Sequence, residues 1–426
     1  MKSEATEQAA EPEIDLAALD LTDGSLYRRG FPHALFRALR REAPVWRQPA
    51  SDPENPIGGR PFWVLSRHDD VRAANRDPEG FAAVRGPALF KNEVSNGLML
   101  TSMDGAAHTR QRKLISAGFT PRMIGRLEAR ARGWAVQILE AAIERETCDF
   151  VERVAYQLPM HMIADIMGIP REDRDWVFAK AADFLQCTDP DHSVPVSDQQ
   201  KVQLELFQYG QRLSAEKRAR PSDDVWTTLT QVELESEDGA RHKLEGPELD
   251  LFFILLTVAG SETTRNAITL GLLALLEERD QLERLRREPA LMKHATEEIL
   301  RWSSPVAYFK RVATRDTRIR GERIREGELV TLWYPSANRD EAVFPDPYRF
   351  DIAREPNDHV AFGGGGPHFC LGAHLARREI SILFEELLAR VEEVELLGEL
   401  RYSLQGIGNP IVMSPKQLPV RFVPRR

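Results

Sequence analysis

Between Phe362 and Gly372 the chain reads FGGGGPHFCLG, and an apolar-periodic run, LGAHLARREISILFEELL, begins at its end. Four consecutive glycines leave almost no side-chain bulk, so the backbone can lie close to a flat ligand. The periodicity of the following run predicts a helix, and Cys370 stands at its start. A thiolate there gains about 0.3–1 kcal/mol from the helix dipole, whereas a bound metal cation deprotonates it outright. The metal-ligand reading is the stronger of the two. Taken alone, the stretch also has plainer readings, because buried cysteines commonly serve as small hydrophobes and glycine runs as flexible turns. No Lys-Ser/Thr follows the glycines where a phosphate-binding loop requires it.

Composition narrows the company this cysteine can keep. The net charge of -9 argues against nucleic acid as the main partner. Cys148, Cys187 and Cys370 are too few and too scattered for a disulfide framework or a four-thiolate zinc site, so the expected compartment is the reducing cytoplasm. The start, MKSEATEQAAEPEIDLAALD, lacks the basic and apolar regions of a signal peptide. Residues 1–25 are expected to form a flexible acidic segment ahead of one large domain, 26–426. The most apolar run, LFFILLTVAG from Leu251, is far shorter than the ~20 residues that cross a bilayer, so no membrane anchor is expected.

Helices dominate the pattern. FPHALFRALRREAP predicts a short helix ended by Pro44, and RPFWVLS predicts a strand at Arg60 to Ser66. Val84 to Leu100 lacks a period and reads as a long loop. Two helices broken at Thr120-Pro121 follow, then further helices on either side of an irregular stretch from Cys187 to Asp198. From Gly246 to Glu278 a long helical pattern carries AGSETT as an interruption of its apolar face. Glu277 to Ser303 is helical, Thr314 to Leu332 alternates like short strands turning at Gly321 and Gly327, FPDPYRFD is extended, and QLPVRFVP adds a final strand.

HVAFGGGGPHFCLGAHLARREI resembles the haem-ligand signature of the cytochrome P450 family, whose axial ligand is a cysteine thiolate. Further motifs agree in order and spacing: HTRQR at His108, AGSETT at Ala259, EILR at Glu298, and ANRDEAVFPDPYRFD at Ala337. The resemblance implies a mainly helical single domain with small sheets. It also implies a monooxygenase that hydroxylates an unactivated C–H bond with dioxygen, heme b, and electrons from a ferredoxin and an NAD(P)H-dependent ferredoxin reductase.

The same resemblance distributes the roles. Cys370 is the iron ligand, Phe362 packs against its side of the porphyrin, and Gly372 permits close helix approach. Arg112 and Arg311, with His108 and His368, address the haem propionates. Ala259 and Gly260 let the long helix approach the cofactor, and Glu262 with Thr263 matches the family's acid-alcohol pair for proton delivery. The plain reading of that pair is a threonine bonded to a carbonyl one turn earlier and a glutamate paired with Arg265. Glutamate three residues before arginine is common in this chain, also at Glu283/Arg286 and Glu322/Arg325, but Glu298, Arg301 and Arg339 match the family's buried network.

One departure stands out. Phe362 lies eight residues before Cys370, where the commonest family spacing is seven, so the loop carries an extra glycine. This loop, with LWYPSANRD and DGAAHTRQRKLISAGFTPRMI, resembles bacterial members that hydroxylate methyl-branched lipids, sterol side chains and terpenoids. The implied substrate surface comprises Val84 to Leu100, Phe184 to Asp198, Leu256 to Glu262, Val306 to Phe309 and Ile407 to Val412. Arg110, Lys113, Arg377 and Arg378 would suit an acidic ferredoxin. The competing readings are a haem-thiolate peroxygenase, which has no need of the acid-alcohol pair, and a non-catalytic haem-binding sensor.

Overall fold

The computed structural model describes residues 15–51, 59–89, 97–119, 121–186, 198–235, 241–402, 412 and 414–425. It is predominantly helical with several small sheets, as expected, and its contacts divide the chain into two compact units.

The first unit comprises Met1–Asn92, Asn266–Cys370 and Arg401–Pro415. Its centre is a five-stranded sheet in the order Val45–Gln48, Phe62–Leu65, Leu329–Trp333, Tyr308–Ala313, Phe81–Ala82. All neighbours run antiparallel except Phe62–Leu65 and Leu329–Trp333, which are parallel. Side chains alternate between the faces of a strand, and here each face carries its own core. Phe62, Val64, Tyr308, Val312, Leu329 and Trp333 join one cluster, which Leu21, Phe36 and Leu39 complete. Trp63, Leu65, Ala313, Val330, Leu332 and Tyr334 join the other with Val71 and Ala74. Of the segment expected to fray, Leu16 and Leu19 are partly buried against the first cluster.

The His33–Glu42 and His68–Arg76 helices cover the two faces. The second of these is the element on which the cysteine loop leans. Asp340 fixes its start, accepting from the His68 amide at 3.0 Å.

The second unit comprises Glu93–Arg265, Leu371–Leu400 and Lys416–Arg426. The Pro121–Glu144 helix packs against both Gln157–Met167 and Ala373–Arg390, and Arg171–Gln186 packs against Gln199–Ala219. A three-stranded sheet, Val391–Leu396, Pro419–Pro424, Thr147–Asp149, closes one end. The break expected at Thr120-Pro121 falls between the Gly105–Ala117 and Pro121–Glu144 helices.

Gly246–Glu277 is one unbroken helix of 32 residues that begins in the second unit and ends in the first. Phe252, Phe253, Ile254, Ala267, Ile268, Leu272 and Leu275 are buried on several sides of it, the pattern of a helix enclosed by protein. AGSETT breaks the apolar run without breaking the helix, and the Ser261 and Thr263 hydroxyls donate to the Thr257 and Ala259 carbonyls one turn earlier. No helix among the described residues is long and apolar enough to cross a membrane.

Candidate active site

Gly363, Gly364, Gly365 and Gly366 have φ angles of 95°, 66°, 108° and 82°, a left-handed path that side-chain-bearing residues rarely adopt. The path has a further reason. A Cβ on Gly366 would lie 2.2 Å from the Asn75 carbonyl oxygen, and one on Gly365 would lie 2.7 Å from Arg76 Nε. Arg76 Nε in turn donates to the Gly364 carbonyl at 3.0 Å. The glycines thus let the loop lie on the end of the His68–Arg76 helix, and the loop closes where the Cys370 amide donates to the Phe362 carbonyl at 3.1 Å. Cys370 ends the loop exposed, with Phe362 and His368 partly exposed beside it in the chain.

Arg311 belongs to the same neighbourhood. It is buried on the Tyr308–Ala313 strand and donates to Asn75 Oδ1 at 3.2 Å. Asn75 therefore serves the candidate site twice, through its side chain toward Arg311 and its carbonyl against Gly366. Only the three-dimensional path reveals it.

The loop is anchored to the charged network predicted from EILR. Arg301 grips Glu298 with two bonds, at 2.7 and 2.8 Å, and both side chains are fully buried. Arg301 also donates to the carbonyls of Asn338, Pro347 and Arg349. Asn338 Oδ1 accepts from the Val360 amide at 2.7 Å, and the Val360 carbonyl accepts from Gly363 at 2.8 Å. A continuous chain of bonds thus runs from the ion pair to the first loop glycine.

The network differs from expectation in one member. Arg339 is buried but bonds the carbonyls of Arg301 and Trp302 and lies 4.3 Å over the Trp302 ring. The second guanidinium on Glu298 belongs to Arg354, at 3.2 Å. Burial, with the neighbouring Arg301 adding to it, holds the Arg339 pKa well below its ordinary value.

In the second unit, His108 and Arg112 lie one turn apart on the Gly105–Ala117 helix, the first buried and the second half-buried. Gly372 precedes the Ala373–Arg390 helix with an ordinary φ of -83°. On the long helix, Ala259 is exposed and Leu255, Leu256, Gly260 and Thr263 are partly so, an uncovered stripe on an otherwise enclosed helix.

Thr263 Oγ1 donates to the Ala259 carbonyl at 2.9 Å, and buried Glu262 pairs with Arg265 at 2.9 Å. Tyr156 lies under the Arg265 guanidinium at 5.8 Å, and burial pushes its hydroxyl up to about 12. A Cβ on Gly260 would lie 2.4 Å from Ile163, which gives that glycine a packing role between two helices.

Of the predicted substrate surface, residues 90–96, 187–197 and 407–411 lie outside the described residues. Two of its stretches do meet, because Val306 and Val412 form an isolated antiparallel bridge.

The family model described as Cytochrome P450 matches residues 53–395. A methyl-branched lipid omega-hydroxylase of Mycobacterium tuberculosis is 38% identical over 396 residues, 90% of each chain. A steroid C26-monooxygenase of Rhodococcus jostii is 38% identical over 403 residues, 92% of this chain and 83% of the relative. Among solved structures, Mycobacterium marinum cytochrome P450 CYP268A2 in complex with pseudoionone superposes with a TM-score of 0.85 at 34% identity, covering 97% of this chain and 100% of that one.

Proposed function

This chain belongs to the cytochrome P450 family and is a haem-thiolate monooxygenase, and we propose that it hydroxylates a methyl-branched lipid, sterol or terpenoid. The observation that carries the site is the exposed Cys370 at the end of a loop that only glycines can thread along the His68–Arg76 helix. An exposed cysteine sulfur at the end of a loop bare of side chains fits a planar macrocycle with a metal at its centre, and the group it would hold is heme b. The chemistry supplied by the bound group is cleavage of dioxygen, one atom entering a C–H bond and the other leaving as water, with two electrons and two protons consumed.

The residues of the chain then divide the remaining work. Cys370 donates its thiolate, Phe362 and Gly372 flank it, and Arg311, Arg112, His108 and His368 offer cationic or donor groups to the propionates. Ala259, on the uncovered stripe, provides a small surface for the cofactor, and Gly260 keeps the helix seated against Ile163. Thr263 Oγ1 holds a water and hands on its proton when it turns from the Ala259 carbonyl. Glu262 resupplies that proton when its carboxylate exchanges Arg265 for water. The apolar stretches joined by the Val306–Val412 bridge exclude water around a lipophilic substrate. Electrons come from a ferredoxin and its NAD(P)H-dependent reductase, docked by Arg110, Lys113, Arg377 and Arg378.

Thiolate ligation shifts the spectrum of the reduced carbonyl complex to much longer wavelength than histidine ligation. The purified protein is expected to show that band, and Cys370→Ala to lose it. A histidine-type band in the wild type would refute the ligand assignment.

A further inference from the structure

The Tyr308–Ala313 strand has two faces with different tasks. Phe309 and Arg311 point to one, where Arg311 reaches Asn75. Tyr308 and Lys310 share the other with Val312, and there a buried lysine is out of place. Lys310 is 5% exposed, and its described neighbours include no carboxylate bonded to it.

What Lys310 does hold is the Arg85–Leu89 segment. Its Nζ donates to the Arg85 carbonyl at 2.7 Å and its amide donates to the Pro87 carbonyl at 2.7 Å. One turn of the strand pleat away, the Tyr308 hydroxyl accepts from the Leu89 amide at 3.2 Å. Three bonds from two same-face residues thus pin alternate residues of this segment. Arg85–Leu89 lies near the start of the Val84 to Leu100 stretch that the family resemblance assigns to the substrate surface, and the other face of the same strand offers the partly exposed Phe309 from the Val306 to Phe309 stretch assigned to that surface.

We propose that Lys310 is a positioning residue for substrate: with Tyr308 it fixes the Arg85–Leu89 segment on the strand and so sets that segment's share of the substrate surface. This rests on the substrate-surface reading above and deepens it. A hydrophobic side chain would fill the same space without a buried charge; the ammonium supplies a charge-assisted bond, roughly twice as strong as a neutral one.

The anchor is sensitive to alkali. Burial, with Arg85 and Arg60 adding to it, brings the Lys310 pKa down to about 8. The groups around it are Arg85 on the segment, Arg60 before the Phe62–Leu65 strand, Thr331 opposite it on the neighbouring strand, and Tyr308, whose hydroxyl burial pushes above its ordinary value. None supplies a negative charge near neutrality. Above pH 8 the ammonium loses its proton and the bond to Arg85 becomes an ordinary amine bond.

The test uses the haem-loaded protein and two probes, pseudoionone and corticosterone, read by the spectral change when a ligand displaces iron-bound water. Wild-type affinity for the probe that binds is expected to fall about threefold between pH 7 and pH 9. Lys310→Met should bind about threefold more weakly at pH 7 with no fall at pH 9, and Lys310→Arg should restore affinity and hold it through pH 9. Imidazole, which ligates the iron directly, should bind all three proteins alike. Parallel pH profiles for wild type and Lys310→Met overturn the proposal. If Lys310→Met loads no haem, the wild-type profile and Tyr308→Phe decide, a flat wild-type profile with an unaffected Tyr308→Phe overturning it. Haem-loaded wild type that binds neither probe at any pH overturns the lipophilic-substrate reading itself, and the inference with it.

Discussion

Glu298–Arg301 and Glu283–Arg286 share one spacing, glutamate three residues before arginine on adjacent helices, yet they are different objects. The first pair has both side chains fully buried, and its carboxylate also receives Arg354, Asn357 and the Asp351 amide. In the second, Glu283 is 57% exposed and Arg286 reaches it at 3.2 Å on the helix surface. Spacing brings a pair together on a helix, but burial decides what the pair is worth. Water screens the outer pair, so its loss changes little. The inner pair has given up its hydration, so losing either partner strands a charge in protein.

The largest effect should follow from Arg301→Ala. Removing one partner of a buried pair costs about 3–5 kcal/mol, and here the Asn338, Pro347 and Arg349 carbonyls lose their donor as well. Because Asn338 connects through Val360 to Gly363, the damage should reach the cysteine loop. The expected result is poorly folded, haem-poor protein, measured as haem content per chain and denaturation midpoint. A normally loaded, normally stable variant would break the contrast between the inner and outer pairs.

A third glutamate sharpens the comparison because no cation among the described residues contributes to its ionisation. Glu379, on the Ala373–Arg390 helix, is 2% exposed, and its Oε2 finds no hydrogen-bond donor among the described residues. Burial alone pushes its pKa from 4.5 up to about 8, so the folded protein keeps it protonated at neutral pH. The unfolded chain releases that proton near pH 4.5. The folded state is therefore unpenalised below that value and loses stability steadily as pH rises toward 8, by about 3 kcal/mol at pH 7. Glu379→Gln removes the ionisation. It should match wild type near pH 4.5 and exceed it by that amount at neutral pH, read from denaturation midpoints across the range. Parallel curves would show that Glu379 is ionised in the fold and has a partner.

Much of this architecture is legible in the amino-acid sequence. The helix after Cys370, the break at Thr120-Pro121 and the turns at Gly321 and Gly327 follow from local chemistry, and local chemistry is what a sequence displays. Asn75, Asn338 and Arg354 are not legible there, because each matters through a contact made across a long loop of chain. The Val225–Gln231 helix is too short for its period to stand out, although Asp224 signals it, accepting from the Thr227 amide at 2.6 Å in an N-cap. The Val391–Leu396 strand is hidden because it runs straight on from a helix with no turn residue between them. FPDPYRFD reads as an extended, proline-rich passage, but its purpose, offering the Pro347 and Arg349 carbonyls to Arg301, is visible only once the two segments meet.

The smallest effect tests the other end of the comparison. Glu283→Gln removes the charge of the outer pair and should change stability by only about 0.2–0.5 kcal/mol, vanishing as salt is raised beyond the point where exposed charges are screened. Arg286 is the reason to make the measurement, because its side chain is only 13% exposed although its partner stands in water. If burial of both partners governs the cost, the variant stays near wild type at every ionic strength. A loss of several kcal/mol that persists in high salt would mean that burying the arginine alone is enough to make the pair costly to break, and the line between the inner and outer pairs would then have to be drawn at the guanidinium.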